Sequence, residues 1–183
     1  NKDKEIFSEL LDSKTVLISY NVTDPDVSLG ATADDESYKL YLSDTGLFTT
    51  LLFNSVDKIH TKIYSKLLSD KLDANLGYLY ENAVAQMIAS GGNRLFYHTW
   101  KRDDGVHFYE VDFLIASNAK IVPMEIKSSN VNTHKSISVF CKKYSKKVFR
   151  PYLFSQKDVG HMEQLIYKPI YMLPFVLEEL SGQ

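Results

Sequence analysis

The stretch Phe108-Tyr109-Glu110-Val111-Asp112-Phe113-Leu114-Ile115, a short turn, and Ile121-Val122-Pro123-Met124-Glu125-Ile126-Lys127 decides the fold. In the first half Val111, Phe113 and Ile115 alternate with Glu110, Asp112 and Leu114. In the second, Val122, Met124 and Ile126 alternate with Ile121, Pro123, Glu125 and Lys127. A period of two is that of a pleated strand, so the segment predicts a β-hairpin with its charges gathered on one face. A two-residue turn at Ser117-Asn118 makes directly opposed residues sum to an odd number. Asp112 then faces Pro123 and lies diagonal to Glu125 on the same side of the sheet, and a three-residue loop would break this parity. Asp112, Glu125 and Lys127 are thereby expected to converge among apolar neighbours.

Ionised carboxylates there are costly unless compensated. Mg²⁺ (or Mn²⁺) would compensate them, since it takes one or two carboxylates, a carbonyl and several waters; Asp112, Glu125 and the backbone carbonyl of Ile126 form a half-cage of that kind. Lys127 would stand beside charge developing on a phosphate. Asp, then Glu-x-Lys on the next strand, resembles the site of the PD-(D/E)xK nucleases. The simpler reading stays open: Glu125 and Lys127 as a same-face ion pair on an exposed edge.

At 183 residues, with 44% hydrophobic and 24% charged side chains, the chain suits one sizeable globular core, or one domain with a smaller piece of another. No apolar run approaches membrane-spanning length, and Asn1-Lys2-Asp3-Lys4-Glu5 lacks a signal-peptide pattern, so a cytoplasmic protein without a membrane partner is expected. An opening residue other than Met suggests a piece of a longer polypeptide. The single cysteine, Cys141, fits a reducing compartment and reads as a small core residue. Net charge is -2, unevenly spread: residues 1–57 carry 11 acidic and 4 basic side chains, the remainder 12 and 17. From Ile126 to Lys157 there is no acid, a stretch suited to a polyanion.

In chain order, Ile6 to Leu11 reads as the end of a helix and Val16 to Tyr20 as a strand. An acidic, turn-rich loop through Pro25, Gly30 and Asp34-Asp35-Glu36 leads to a strand Tyr38 to Leu42. Ser43-Asp44-Thr45-Gly46 starts a helix before Leu47 to Phe53. Helix end, strand, loop, strand is the outline of a winged-helix tail, with the acidic loop alternatively a disordered connection. Ser55 to Ser69 reads as helix. After Asp73-Ala74-Asn75, Leu76 to Ser90 is a stronger helix with a wide apolar face, ended by Gly91-Gly92. Glu81 lies at the border of that face, aimed at the helix–sheet junction or, on the simpler reading, reaching to water.

Arg94 to Trp100 is a strand turned by Asp103-Asp104-Gly105 into the Val106 to Ile115 strand. His98 and His107 read as packed or surface residues rather than ligands. Asn130 to Thr133 caps a helix from His134 to Lys147, with Ile137, Phe140, Cys141, Tyr144 and Val148 inward. Lys135, Lys142, Lys143, Lys146 and Lys147 face outward, either a solvated face or a DNA contact. Val148 to Phe154 returns as a strand in a right-handed crossover, Leu165 to Lys168 is a short strand, and Pro174 starts a helix Phe175 to Leu180.

The order helix with Glu81, hairpin, strand with Asp112, strand with Glu125-x-Lys127, helix, strand is that of the restriction-endonuclease-like core. Tyr41-Leu42-Ser43-Asp44-Thr45-Gly46-Leu47, Asn75-Leu76-Gly77-Tyr78-Leu79-Tyr80-Glu81-Asn82, Glu110 to Ile115, Pro123 to Ser129 and His134-Lys135-Ser136 together resemble, over essentially the whole chain, the C-terminal domain of unknown function on many prokaryotic AAA+ family ATPases. The resemblance implies an α/β fold: a mixed central sheet flanked by helices over residues 48–183, preceded by a winged-helix remnant over residues 1–47. The resemblance to the nuclease fold, rather than to that family, implies Glu81, Asp112 and Glu125 as acidic metal-holding positions, Lys127 as the catalytic cation, and, by fold-level analogy, DNA as substrate. None of the eight glycines precedes a lysine, so ATP would act only through an ATPase module outside this sequence. Two rivals remain open: a non-catalytic DNA- or protein-binding domain for the ATPase, and an oligomerisation domain in which the acidic front pairs with the basic rear.

Overall fold

The computed structural model describes residues 2–53, 76–128, 131–132 and 134–182. The helix expected over Ser55 to Ser69, with its following Asp73-Ala74-Asn75, lies outside the described residues. Helix α1 (Lys2–Asp12) leads into strands β1 (Val16–Val22) and β2 (Ala33–Leu42), joined through a 3-10 turn (Leu29–Thr32), then helix α2 (Thr45–Phe53). Helix α3 (Leu76–Ser90) precedes β3 (Leu95–Lys101), β4 (Phe108–Val111), β5 (Phe113–Ser117) and β6 (Lys120–Ile126). Helix α4 (Lys135–Lys143), β7 (Tyr152–Ser155), β8 (Gly160–Met162), β9 (Leu165–Pro169) and helix α5 (Leu173–Ser181) complete the order. Among the described residues no helix is long and apolar enough to cross a membrane.

The fold is mixed α/β with two mixed sheets, ordered β2-β1-β3-β4 and β5-β6-β7-β9-β8. The N-terminal hairpin belongs to the first, because β1 runs parallel to β3 from Ser19↔Leu95. The second is covered on both faces. Val84 and Ile88 of α3 and Leu173, Val176 and Leu177 of α5 pack on Phe113, Val122, Met124, Ile126 and Phe154. From the other side come Phe140 of α4, against Leu114 and Ile121, and Ile137 and Cys141, against Leu153 and Leu165. A one-residue slip of β6 would exchange Val122, Met124 and Ile126 for Pro123, Glu125 and Lys127 and so set two charged side chains against the apolar core under α3 and α5, which fixes the register.

Five expectations are corrected. The strand read as Phe108 to Ile115 is two strands, broken at Asp112. β4 pairs with β3 in one sheet and β5 with β6 in the other. The break changes the phase of the side chains: Val111 packs with Leu114, whereas Phe113 packs with Ile115 on the opposite face. The β5–β6 turn is Asn118-Ala119 rather than Ser117-Asn118, with φ of 47° and 56° at the two turn residues. Ser117 stays in the strand, where its hydroxyl donates to the Leu180 carbonyl at 3.0 Å. Opposed residues still sum to an odd number, but Leu114 rather than Asp112 faces Pro123.

The lysine-rich helix stops at Lys143, four residues short of the predicted end. The strand expected over Val148 to Phe154 is a single bridge, Val148↔Ile121, followed by β7 pairing from Tyr152↔Met124. The intervening segment holds one residue more than β6 does, a bulge in which Arg150 takes φ 44°. The acidic segment read as loop is partly strand, since β2 begins at Ala33. Elsewhere α3 spans the predicted residues and ends where Gly92 adopts φ 79°. Pro174 lies in the first turn of α5.

Candidate functional site

Asp112 sits where the chain leaves one sheet for the other. The ladder of β5 and β6 ends at Phe113↔Met124, and the Ile126 amide donates to Asp112 Oδ2 at 2.7 Å instead of to a strand carbonyl. The carboxylate therefore replaces the missing strand, which binds the end of β6 to the bend. Continuing the register would set Asp112 opposite Glu125, closer than the diagonal arrangement expected. Asp112 is 8% exposed and Glu125 4%, so both are buried. Lys127 Nζ meets Glu125 Oε1 at 2.7 Å. This is no exposed edge pair, because its carboxylate lies inside the fold. Among the described residues Glu125 Oε2, which is buried, has no hydrogen-bond partner.

Glu81 comes from α3, whose position is set by Asn82. That buried amide accepts from the Leu42 amide at 2.7 Å and donates to the Leu42 carbonyl at 3.0 Å, clamping α3 to the end of β2. The clamp brings Tyr41 and Lys39 of β2 to Glu81. The Tyr41 hydroxyl donates to Glu81 Oε2 at 3.4 Å, and Lys39 Nζ stands 3.9 Å from the same oxygen. Lys39 is held chiefly by Glu110 Oε1, at 2.5 Å, and lies over the Tyr97 ring, 5.0 Å from its centroid. Sequence reasoning passed over Lys39, Tyr41 and Glu110 as site residues. For Glu110 the signal was present, two residues before Asp112 in the same strand run; for Lys39 there was none, since only long-range pairing delivers β2.

The electrostatics follow from this crowding. Burial, then the charges of Glu125 and Glu81, push the Asp112 carboxyl well above the ordinary 3.8, against the opposing bond from Ile126. Burial also raises Glu125, with Lys127 opposing and Glu110 and Glu81 adding to the rise. Glu81 is raised by burial against the pull of Lys39. For Lys39 and Lys127 burial works against the ammonium, but the surrounding carboxylates, Glu110 foremost for Lys39 and Glu125 for Lys127, together outweigh it, and both pKa values sit above the ordinary lysine value. Four carboxylates, Glu81, Glu110, Asp112 and Glu125, share two lysines.

A divalent cation suits part of this set. The orphaned Glu125 oxygen and the buried Asp112 carboxylate are hard oxygen donors of the kind a divalent cation takes. Glu81 as placed is turned to Tyr41 and Lys39, and among the described residues no three His, Cys, Asp or Glu are grouped to hold a metal ion. The expected three-carboxylate set is thus two carboxylates with Glu81 beside them.

The five lysines expected at DNA are not equivalent. Lys135 lies over Tyr109 at 5.9 Å, Lys143 over Trp100 at 5.7 Å, and Lys142 and Lys146 are exposed. Lys147 bonds Asp26 at 2.9 Å and reaches Asp24 at 3.8 Å, so one contact between the acidic front and the basic rear forms within the chain. His98 is buried, its Nδ1–H donating to the Val22 carbonyl at 2.5 Å, and His107 pairs with Asp104 at the surface.

No curated protein and no solved structure matches the chain. Residues 76–170, from the first turn of α3 to the residue after β9, match the family described as Domain of unknown function (DUF4143), and the chain accordingly belongs to that family.

Proposed function

We propose that this chain is a nuclease-like domain that hydrolyses DNA phosphodiesters with a divalent cation, carried at the C-terminus of an AAA+ ATPase. The observation behind it is the buried pair Asp112 and Glu125 at the bend, with Lys127 2.7 Å from Glu125 and the other Glu125 oxygen without a hydrogen-bond partner among the described residues. Asp112 and Glu125 would hold Mg²⁺ or Mn²⁺, with Glu81 acting through water. A cation there supplies Lewis acidity and lowers the pKa of a coordinated water. Lys127, 26% exposed at its side chain, can donate to a phosphate oxygen as charge builds. Hydrolysis forms one phosphorus–oxygen bond to water and breaks the one to the leaving oxygen, which receives a water proton. The exposed Lys135, Lys142, Lys143 and Lys146 supply positive charge for the DNA backbone.

A second reading has its own support: Glu125 is closed by Lys127, and Glu81 by Tyr41 and Lys39, as in a domain that binds DNA or protein without cleaving it. Nicking of supercoiled plasmid with Mn²⁺ or Mg²⁺ separates the two. Cleavage lost in Asp112→Ala and in Lys127→Ala supports the nuclease. Absence of cleavage together with absence of Mn²⁺ binding leaves the binding domain.

A further inference from the structure

We propose that Lys39, on a strand outside the family-matched residues, holds Glu81 out of the cation site and thereby weakens cation binding. The inference rests on the cation-site reading above and concerns how that site is regulated.

Glu81 shares its field with Asp112 and Glu125, yet its Oε2 meets the Tyr41 hydroxyl at 3.4 Å and Lys39 Nζ at 3.9 Å. Lys39 cannot drift from this position cheaply. Glu110 Oε1 binds it at 2.5 Å, the Tyr97 ring lies beneath it, and the Asn82 clamp fixes β2 against α3. An ammonium so fixed does two things to an incoming cation: it repels it, and it engages Glu81, a carboxylate that would otherwise extend the Asp112 and Glu125 pair to three. Independently, Glu125 Oε2, without a hydrogen-bond partner among the described residues and buried in a residue 4% exposed, marks a ligand place left in the cluster. The site therefore has a weak form with two carboxylates and a strong form with three, and Lys39 selects the weak one.

The two effects of Lys39 are separable by titrating Mn²⁺ alone, without DNA, into wild type, Lys39→Met, Lys39→Arg, Glu81→Gln and Lys39→Met/Glu81→Gln. Removing a cation this close should tighten Mn²⁺ binding by about tenfold or more in Lys39→Met. Lys39→Arg should bind as wild type does. In the Glu81→Gln background the gain should shrink several-fold, because only the repulsion is then relieved. Equal or weaker binding by Lys39→Met overturns the proposal, as does a gain of undiminished size without Glu81. If Lys39→Met does not fold, Lys39→Gln carries the same comparison. Mn²⁺ binding that is normal in wild type and unaffected at Lys39 defeats this inference alone. Binding absent from every variant defeats the cation-site reading and this inference with it.

Discussion

Replacing Asp112 by Asn should stabilise the cation-free protein while removing its response to Mn²⁺. Asp112 is 8% exposed and faces the charges of Glu125 and Glu81, and its Oδ2 accepts from the Ile126 amide at 2.7 Å. An asparagine oxygen accepts the same bond without the charge. Relieving a buried carboxylate that faces two others is worth about 1–2 kcal/mol, within the range of single stabilising substitutions. For a chain of this size that raises Tm by roughly 2–8 °C. Asp112→Ala makes the control: it removes the charge and also leaves the Ile126 amide without its acceptor, which costs about 1–3 kcal/mol.

Calorimetry of wild type and both variants, first in EDTA and then with excess Mn²⁺, gives the assay. In EDTA the expected order is Asn above wild type above Ala. At a hundredfold excess over Kd, bound cation adds about 2.7 kcal/mol to wild type alone, so wild type should then match or exceed the Asn variant. An Asn variant less stable than wild type in EDTA would show that the carboxylate is held for structure. Equal Mn²⁺ stabilisation of all three proteins would remove Asp112 from the cation site.

Ala119, with φ 56°, pairs with Asn118 in a turn that suits Asn-Gly, so Ala119→Gly should stabilise by about 0.5–1 kcal/mol in urea unfolding; an unchanged or lower midpoint refutes the turn assignment. Cys141 is 2% exposed and burial pushes its thiol up to about 12, so a thiol reagent should label it only as the chain unfolds, and labelling faster than unfolding contradicts its packing. His98 is lowered by burial against its bond to Val22, with Lys143 lowering and Asp24 raising it further. The unfolded chain takes up that proton near 6.5 and the folded chain only at lower pH. Stability from neutral His98 is thus full above about pH 6.5 and falls below it, at most about 1.36 kcal/mol per pH unit. His98→Gln should flatten that part of the urea-midpoint profile, and an unchanged profile refutes the assignment.

The strand pair of β5 and β6 was legible because its alternation reports a sheet buried by helices, and α3 because its apolar stripe ends at two glycines. Asp112 misled for a physical reason. Inside an apolar alternation a charged residue looks like one more outward position, whereas its carboxylate takes a backbone amide and breaks the strand. Asn118-Ala119 misled because alanine carries no turn signal; its left-handed φ is imposed by the ladder on either side. β8, Gly160-His161-Met162, has no periodicity to read and exists by pairing with β9. The carboxylates and Lys127 lay in recognisable local patterns. Lys39 and Tyr41 did not, since their place beside Glu81 depends on a clamp between Asn82 and Leu42 forty residues apart.

That dependence bears on how the site is built. The family match begins at Leu76, yet the clamp, the tyrosine and the lysine acting on Glu81 all involve β2, well before it. Glu81 therefore has its electrostatic environment set by a hairpin joined to the matched residues through the parallel pairing of β1 with β3. Asp112 and Glu125 are instead fixed within the matched segment, by the bend and by β6. One half of the acidic cluster is thus tied to the sheet that buries Glu125, and the other half to the sheet that carries Lys39. A substitution at Asn82 should disturb only the second half. Asn82→Ala, which frees β2 from α3, would leave the Asp112–Ile126 bond intact while releasing Glu81, so it should mimic Lys39→Met in Mn²⁺ titration at a cost in stability; Mn²⁺ binding weaker than wild type would mean that β2 organises the site rather than restrains it.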